Sequence, residues 1–253
     1  MNIIQKLADK SNYGGSRPTS QIKYIVIHYT ANDGDKAWNN ANYFQTPNRK
    51  ASAHYFVDDN NIYQSVADNY IAWSVGGSKY TDCDDTGGGK LYGKCTNTNS
   101  ISIELCDTNR NGVIYPTDAT IKLAITLTKE LMVKYNIAYD NVIRHFDVNG
   151  KHCPAYWMDN TKWESEFHSK LVKNPLDVAL HFDKTVAGTY VATSNVNLRV
   201  GAGLGKKKIT QIKKGESVKN YGYYNLTGKT KWLLVSYKDK TGYACIKRLK
   251  KKG

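Results

Sequence analysis

Strand-like and helix-like patterns alternate along the first 172 residues of the chain. Short runs of β-branched or alternating apolar residues predict strands at 23–29, 52–57, 62–66, 100–106 and 142–143, the second and third forming a hairpin. Helices are predicted at about 36–45, 117–136 and 159–172. Asp33 or Asp35 is expected to cap the first helix, and Thr117 the second. The alternation predicts an α/β fold, in which helices pack on a central sheet.

The pattern changes near residue 173. Residues 173–188 contain Pro175 and are weakly patterned, so they are predicted to be a linker. Residues 76–99, rich in Gly, Asp, Asn and Thr, are instead predicted to form a long surface loop of the first domain. Beyond the linker, short strands with Gly-containing turns are predicted at 190–193, 196–200, 208–212, 217–221, 232–237 and 241–246. We therefore predict two domains, an α/β domain at 1–172 and a small all-β barrel at 189–253.

The net charge of +14 changes this picture because all of it lies in one part of the chain. Residues 1–185 contain 20 Lys and Arg against 20 Asp and Glu, whereas residues 186–253 contain 16 against 2. Such an asymmetry predicts that the second domain is a separate module with an anionic partner.

Composition and cysteine usage narrow the class of protein. No stretch approaches the roughly 18 apolar residues of a membrane span, so no membrane partner is expected. Residues 1–16 lack the apolar core and cleavage site of a signal peptide, which predicts synthesis in the cytoplasm without one. The 5 cysteines are too few and scattered for a disulfide scaffold. Cys83 and Cys95 flank a Gly-rich loop, and the sequence leaves open whether they pair or stay free thiols.

Three candidate metal ligands follow predicted strands. His28 lies near the end of the first strand, His145 just after another, and Cys153 in the loop beyond. Catalytic zinc sites use three protein ligands and leave a fourth position for water, and imidazole and thiolate both suit zinc. A single histidine at a strand end is nevertheless more often structural, and a single cysteine more often a small buried hydrophobe. Spacing alone therefore leaves both interpretations open.

Two further residues carry groups that amide hydrolysis needs. Glu104 stands among Ile101, Ile103 and Leu105, where its carboxylate could accept a proton from water and deliver it to a leaving amine. Lys151 precedes Cys153 by two positions, so in an extended segment both side chains point the same way and the ammonium could stabilise an oxyanion. The alternatives are an edge-strand acid paired with a lysine and a solvated loop charge.

Several motifs resemble one known family. They are Val26-Ile-His-Tyr-Thr30, Ala51-Ser-Ala-His-Tyr-Phe-Val57, Ser100-Ile-Ser-Ile-Glu-Leu105 and Arg144-His145 with Lys151-His-Cys-Pro154. In this order and spacing they look like the type-2 N-acetylmuramoyl-L-alanine amidases, which include phage endolysins of Gram-positive hosts and are akin to peptidoglycan-recognition proteins. The resemblance covers about residues 20–170. It implies a mixed sheet flanked by helices, one catalytic zinc ion, and cleavage of the amide between the lactyl group of N-acetylmuramic acid and L-alanine.

The resemblance also implies a role for individual residues. It makes His28, His145 and Cys153 the zinc ligands, Glu104 the acid/base, and Lys151 the group that polarises the carbonyl. Some relatives have a catalytic tyrosine just before the hairpin histidine, but Ala53 precedes His54 here, so a tyrosine-assisted mechanism is not expected. The candidate substrate contacts are His54 and Trp73, for which a structural hydrogen bond and a packed core position are the alternatives.

The second domain resembles bacterial SH3-like domains, which generally bind cell walls. The similar residues are Val196-Asn-Leu-Arg-Val-Gly-Ala-Gly203, the Lys213-Lys-Gly215 turn, Trp232 and Thr241-Gly-Tyr243. Its lysines and aromatic residues predict attraction to anionic wall polymers such as teichoic acids. The same composition suits nucleic acid, but attachment to a wall amidase argues against that partner. The other alternative is a solvated basic face that only aids solubility.

Together these features predict a phage or prophage endolysin that acts on peptidoglycan at the cell wall after holin-type release or lysis. A host autolysin would show the same chemistry. The competing hypothesis from another class is a non-catalytic peptidoglycan-binding protein, and the presence of Cys153, Glu104 and Lys151 favours the enzyme.

Overall fold

The computed structural model describes residues 2–171 and 177–252 of the chain. They form two compact units, one of residues 2–127 and 140–171 and one of residues 128–139 and 177–252. Among these residues, no helix combines the length and the apolar character that crossing a membrane would require.

A mixed sheet is the centre of the first unit. The strands of this unit are β1 (Ile4–Gln5), β2 (Tyr13–Ser16), β3 (Tyr24–Asp33), β4 (Tyr55–Val57), β5 (Ile62–Gln64), β6 (Tyr70–Ala72), β7 (Ser100–Arg110), β8 (Val113–Tyr115) and β9 (Val142–Arg144). The main sheet has the order β1-β5-β4-β7-β3-β9, β8 pairs with β7, and β2 and β6 form a separate pair. Strands β4, β7, β3 and β9 run parallel, whereas β4 and β5 form the predicted antiparallel hairpin.

Helices flank this sheet, as the sequence predicts. They are α1 (Ala37–Tyr43), α2 (Cys83–Thr86), α3 (Asp118–Tyr135), α4 (His145–Asn149) and α5 (Asn160–Glu166). Short 3-10 turns lie at Lys10–Asn12, Thr19–Gln21, Asn97–Asn99, Tyr139–Asn141, Ala155–Trp157 and His168–Leu171. The isoleucines of β3 and β7 are fully buried, because both strands are central and covered on two faces.

The helix ends show where local rules succeed and fail. Thr117 caps α3 as predicted, since its Oγ1 accepts the Thr120 N–H at 3.0 Å. The prediction of Asp33 or Asp35 as the cap of α1 is wrong, because the Ala37 N–H at the start of the helix donates to the Asp58 carboxylate, 2.9 Å away, just after β4. The predicted helix at 159–172 is shorter, since α5 ends at Glu166 and is followed by a 3-10 turn; residue 172 lies outside the described residues.

The predicted loop at 76–99 is anchored along its length. Its N–H groups donate to carbonyls of the α4 segment, from Tyr80 to Asn149 at 2.8 Å, from Gly89 to Phe146 at 2.9 Å and from Leu91 to Asp147 at 2.9 Å. All 5 cysteines, Cys83 and Cys95 included, are free thiols. The loop is therefore attached to the α4 region by backbone hydrogen bonds and not by a disulfide.

The second unit consists of residues 128–139, which include the end of α3, and a C-terminal region that is all-β, as predicted. Its strands are β10 (His181–Phe182), β11 (Gly188–Ala192), β12 (Val196–Arg199), β13 (Lys208–Ile212), β14 (Ser217–Thr227), β15 (Thr230–Tyr237), β16 (Lys240–Cys245) and β17 (Leu249–Lys251), with 3-10 turns at Lys184–Val186 and Ile246–Arg248. They pair in the order β13-β12-β16-β15-β14-β11-β17, and β10 pairs with β14. Leu198, Ile212 and Leu233 are among its fully buried residues.

The predicted linker at 173–188 contains ordered elements in its described part. Strand β10 pairs antiparallel with β14, His181 opposite Tyr224, and the turn at Lys184–Val186 precedes β11. Residues 173–176 of the predicted linker lie outside the described residues.

Candidate metal centre

Parallel pairing of β3 and β7 brings His28 and Glu104 together. The two residues lie opposite one another in the register, so their side chains leave the same face of the sheet. His28 Nδ1 lies 3.8 Å from Glu104 Oε1. Strand β7 lies between β3 and β4, so Glu104 is not the edge-strand acid of the alternative interpretation. A carboxylate on a central strand beside a histidine is instead suited to act on a bound molecule.

The end of β9 and the loop after α4 supply two more metal-ligating side chains. His145 is the first residue of α4, and Cys153 returns to it because the Phe146 N–H donates to the Cys153 carbonyl at 2.9 Å. Cys153 Sγ lies 3.7 Å from His28 Nδ1, and the rings of His28 and His145 have centroids 4.7 Å apart. One ligand atom from each of the three residues lies within 4.8 Å of the other two. The structure thus brings the three predicted ligands into one cluster.

Burial controls the charge of this cluster. It lowers the pKa of His28 well below the ordinary value, with His145 and Lys151 adding to the effect, and lowers the pKa of His145 to about 3. It also raises the pKa of the Cys153 thiol, which faces the Glu104 carboxylate. Both imidazoles are therefore neutral at pH 7, the form in which histidine binds a metal.

The residues present fit a zinc ion. Among the described residues, His28 Nε2 and both ring nitrogens of His145 are buried without a hydrogen-bond partner. Buried polar atoms without partners are costly, and a metal ion would give a partner to one of the two His145 nitrogens. Two imidazoles and a thiolate supply the three protein ligands of a catalytic zinc site, and both ligand types suit zinc. The geometry and the chemistry of these donors therefore agree.

Glu104 is the acid beside the cluster, and its side chain is mostly but not fully buried, at 19% exposed. Burial raises its pKa to about 8, despite the Lys151 ammonium nearby, which lowers it. A carboxyl group with a pKa close to neutral pH can both accept and release a proton at that pH. Perturbed carboxyl groups of this kind cluster at functional sites.

A groove opens beside the cluster. It has a volume of about 630 Å³ and is lined by Trp73, Lys50, Lys79, Asn149, His145 and Lys151, among others. This volume is within the range of roughly 300–1,000 Å³ typical of ligand sites. Lys151 is exposed and Trp73 is half-buried, so both are open to a ligand in the groove. Lys151 lies in a turn, since its carbonyl accepts the Cys153 N–H at 2.7 Å, not in the extended segment that the sequence suggested.

His54 directly precedes β4 and lies away from solvent. It is 1% exposed, and its ring nitrogens lie 3.1 Å from Ser102 Oγ and 2.9 Å from the Arg17 guanidinium. These contacts tie β4 to β7 and to the segment before β3. The structural interpretation of His54 accounts for both nitrogens, and its contact with substrate stays a prediction.

Two groups near Glu104 were missed in the sequence. Asp107 is 3% exposed, and burial raises its pKa to about 7. Tyr156 packs edge-on against Tyr29, with ring centroids 5.4 Å apart, and burial beside Asp107 raises the pKa of its hydroxyl well above the ordinary value. The signal for Asp107 is an acid directly after the strand at 100–106, but only the continuation of β7 to Arg110 shows that it is buried.

Comparison with known families gives two matches. Residues 18–156 match the family described as N-acetylmuramoyl-L-alanine amidase, and residues 194–245 match the bacterial SH3 domain. The first match contains all three candidate ligands as well as Glu104 and Lys151.

Curated relatives and solved structures agree with these matches. The chain is 33% identical to the amidase CwlA of Bacillus subtilis, over 64% of this chain and 54% of that protein. It is 31% identical to CwlL of Bacillus licheniformis, over 78% of this chain and 49% of that protein. It therefore spans about half the length of these two relatives. The catalytic domain of XlyA superposes with a TM-score of 0.52 at 31% identity, covering 68% of this chain and 99% of that structure. PlyL gives the same score at 32% identity, with 68% and 97% covered.

Proposed function

Because the chain belongs to the N-acetylmuramoyl-L-alanine amidase family, we propose that its first unit hydrolyses peptidoglycan. The bond cut is the amide between the lactyl group of N-acetylmuramic acid and L-alanine. The observation that carries this proposal is the buried cluster of His28, His145 and Cys153, with Glu104 Oε1 3.8 Å from His28 Nδ1. The cluster would supply a metal site, with Glu104 beside it as the proton-transfer group.

His28, His145 and Cys153 would hold one zinc ion. When bound, zinc polarises a carbonyl as a Lewis acid and makes water a better nucleophile at neutral pH. Glu104 is the proposed proton-transfer group. Its carboxylate accepts the proton of the attacking water and then delivers it to the leaving nitrogen of L-alanine. Burial raises the pKa of Glu104 above the ordinary value, which favours the uptake of a proton from water.

Lys151 and the groove position the substrate. The Lys151 ammonium lines the groove that His145 also lines, so it can stabilise the negative charge that develops on the carbonyl oxygen. Trp73, on the same groove, presents an aromatic surface to a sugar or a peptide. Ala53 stands before His54 and carries no hydroxyl, so Glu104 and Lys151 are the side chains proposed to act on the reacting atoms.

The second unit would hold the enzyme on the wall. Its match to the bacterial SH3 domain and its 16 basic against 2 acidic residues after position 185 support attraction to anionic wall polymers. The proposed biological role is that of a phage or prophage endolysin of a Gram-positive host. The similarity to an endolysin of Bacillus subtilis, at 32% identity and a TM-score of 0.52, supports it. An autolysin of the host would use the same groups in the same way.

The test is the release of new amino groups from purified Gram-positive walls. We expect L-alanine amino groups to appear, to stop appearing after treatment with a chelator, and to return when zinc is added. Mass spectrometry of the digest should show intact glycan strands and free stem peptides. If walls were bound with zinc present but released no amine, the chain would be a peptidoglycan-binding protein and not an amidase.

A further inference from the structure

A second pocket lies within the all-β unit. It has a volume of about 190 Å³ and is lined by residues from β12, β13, β15, β16 and the turn at Ile246–Arg248. Trp232, only 4% exposed, forms an aromatic wall of this pocket. The side chains of Arg199 and Arg248 line it from two separate elements.

The pocket is cationic. Its lining contains two arginines and no carboxylate. The four acids of residues 177–252 each pair with a lysine, and neither these acids nor these lysines line the pocket; they are Asp177, Asp183, Glu216 and Asp239. None of the four is therefore placed in the pocket to neutralise its guanidinium groups. An arginine fork matches the planar geometry of a carboxylate or the oxygens of a phosphate.

The polar side chains and the volume of the pocket limit the kind of ligand that it can bind. The side-chain amides of Asn197 and Gln211 lie together on the wall, with Gln211 Nε2 donating to Asn197 Oδ1 at 3.2 Å. Such a pair offers contacts to the hydroxyl or amide groups that flank an anion. The volume is below the roughly 300 Å³ at which sites for whole small molecules begin. The pocket thus suits one charged group of a polymer and its immediate neighbours.

We propose that this pocket binds a single oxyanion group of a cell-wall polymer, held by Arg199 and Arg248 against the face of Trp232. The group is a phosphodiester or a carboxylate. This inference rests on the proposed wall target of the chain. It differs from general attraction by a basic surface, because it assigns the affinity to two named side chains.

The experiment measures binding of the full chain to purified Gram-positive walls. All variants are made in a Glu104→Gln background, so that the walls stay intact. The Arg199→Gln/Arg248→Gln variant is expected to bind roughly 10- to 100-fold more weakly, the range for losing hydrogen bonds to a charged group. The matched control Lys219→Gln/Lys229→Gln removes the same charge from exposed positions outside the pocket, and is expected to weaken binding by no more than about fivefold.

Two further variants separate binding from folding. Arg199 donates to the Lys206 carbonyl at 2.7 Å, so its loss affects a loop as well as the pocket. Arg248 has an exposed contact with Ser194 Oγ at 3.1 Å, so Arg248→Gln alone is expected to leave the near-ultraviolet circular dichroism unchanged and still weaken binding. Arg199→Lys/Arg248→Lys keeps the charge but loses the fork, and is expected to recover only part of the affinity.

Chemically treated walls identify the group. If walls stripped of phosphate polymers no longer distinguish the arginine variant from its parent, the group is a phosphodiester. If walls with amidated carboxyl groups abolish the difference, it is a carboxylate. Equal losses in the arginine and lysine variants, or no wall binding by the parent, would overturn the inference. Hydrolysis by the chain with its native Glu104 is scored separately on a soluble muropeptide, so absent hydrolysis with arginine-dependent binding would contradict only the proposed function.

Discussion

The candidate metal cluster of the first unit is built from groups that burial keeps neutral, whereas the pocket of the second unit is built from charges that water reaches. His28 and His145 are 2% and 3% exposed, and their pKa values lie below the ordinary range because a protonated ring would lose its hydration. Arg199 is half-buried and Arg248 is exposed. The first arrangement suits chemistry at one fixed point, and the second suits reversible attachment.

The difference extends to the charge of each part. Residues 1–185 are balanced between acids and bases, and residues 186–253 are strongly basic. A long-range positive field raises the rate at which the protein associates with an anionic surface. Salt screens this field over a distance of about 8 Å at physiological ionic strength. The short distances in the metal cluster escape this screening. Substitutions in the first unit should therefore affect turnover strongly, and substitutions in the second should affect attachment by smaller, salt-dependent amounts.

The largest effect is expected for Cys153→Ser. A serine hydroxyl is a poor zinc ligand, so the variant should lose both its metal and its amidase activity. The loss of activity should exceed the roughly 10- to 100-fold that follows the removal of a residue that only hydrogen-bonds to a metal ligand. Metal content of the purified protein and amine release from walls measure the two consequences.

The control is Cys106→Ser. Cys106 is another buried thiol, and the Asn40 side chain donates to its sulfur at 3.5 Å, so a hydroxyl there keeps a partner. This variant should retain its zinc and most of its activity. If Cys153→Ser still bound zinc, the Cys153 thiolate would not be a ligand of the metal.

Glu104→Gln should rank second. The amide has the shape of the carboxyl group but cannot accept the proton of water, and general acid–base catalysis typically contributes about 10²–10⁴-fold. We expect this loss in kcat with the zinc content unchanged. Asp118→Asn, at an exposed carboxylate paired with Arg110 at 3.6 Å, is the matched control. A near-normal rate for Glu104→Gln would assign the proton transfer to another group, and Asp107, whose charge acts on Glu104, would be the candidate.

The elements of both units could largely be predicted from apolar periodicity, but the proximity of the site residues could not. His28 and Glu104 are 76 positions apart, and only the parallel register of β3 and β7 places them side by side. Neither strand carries a local signal of that register. The family motifs indicated the same residues by similarity, which is information about related chains and not about the physics of this one.

The errors have the same cause. The cap of α1 comes from Asp58, 21 residues along the chain, so no local capping rule could find it. Strand β10 has only two residues, too few for an alternating pattern, and it exists because β14 offers a partner. The predicted linker was therefore placed across residues that join the second sheet.

A weaker, salt-dependent effect is expected from lysines of the second unit. Replacing Lys207, Lys213, Lys214 and Lys229 by Gln should weaken wall binding at low salt and make it less sensitive to added salt, because fewer charges remain to be screened. Hydrolysis of a soluble muropeptide should not change. The matched variant replaces Lys10, Lys23, Lys90 and Lys94, exposed lysines of the first unit. If it flattened the salt response equally, the attachment would not belong to the second unit.

The smallest effect concerns acid stability of the second unit. Glu216 accepts from the Lys238 ammonium at 2.8 Å and from the Tyr237 hydroxyl, and these contacts lower its pKa to about 2. A folded-state pKa below the unfolded value means that the stabilisation is complete above the ordinary value of 4.5 and is lost as the pH falls towards 2. Glu216→Gln should therefore be less stable than the parent at pH 7 and should lose less stability between these pH values.

Trp232 reports this transition, since it is the one tryptophan after residue 163. Its 19F signal in protein labelled with 5-fluorotryptophan reports unfolding of the second unit. The signals of the other four tryptophans report unfolding of the first unit. Asp85→Asn, at an exposed carboxylate of the first unit, should leave the Trp232 transition unchanged. An identical acid transition in Glu216→Gln and the parent would show that the exposed charges of this unit contribute to attachment alone, and that its fold depends on the buried residues of its sheet.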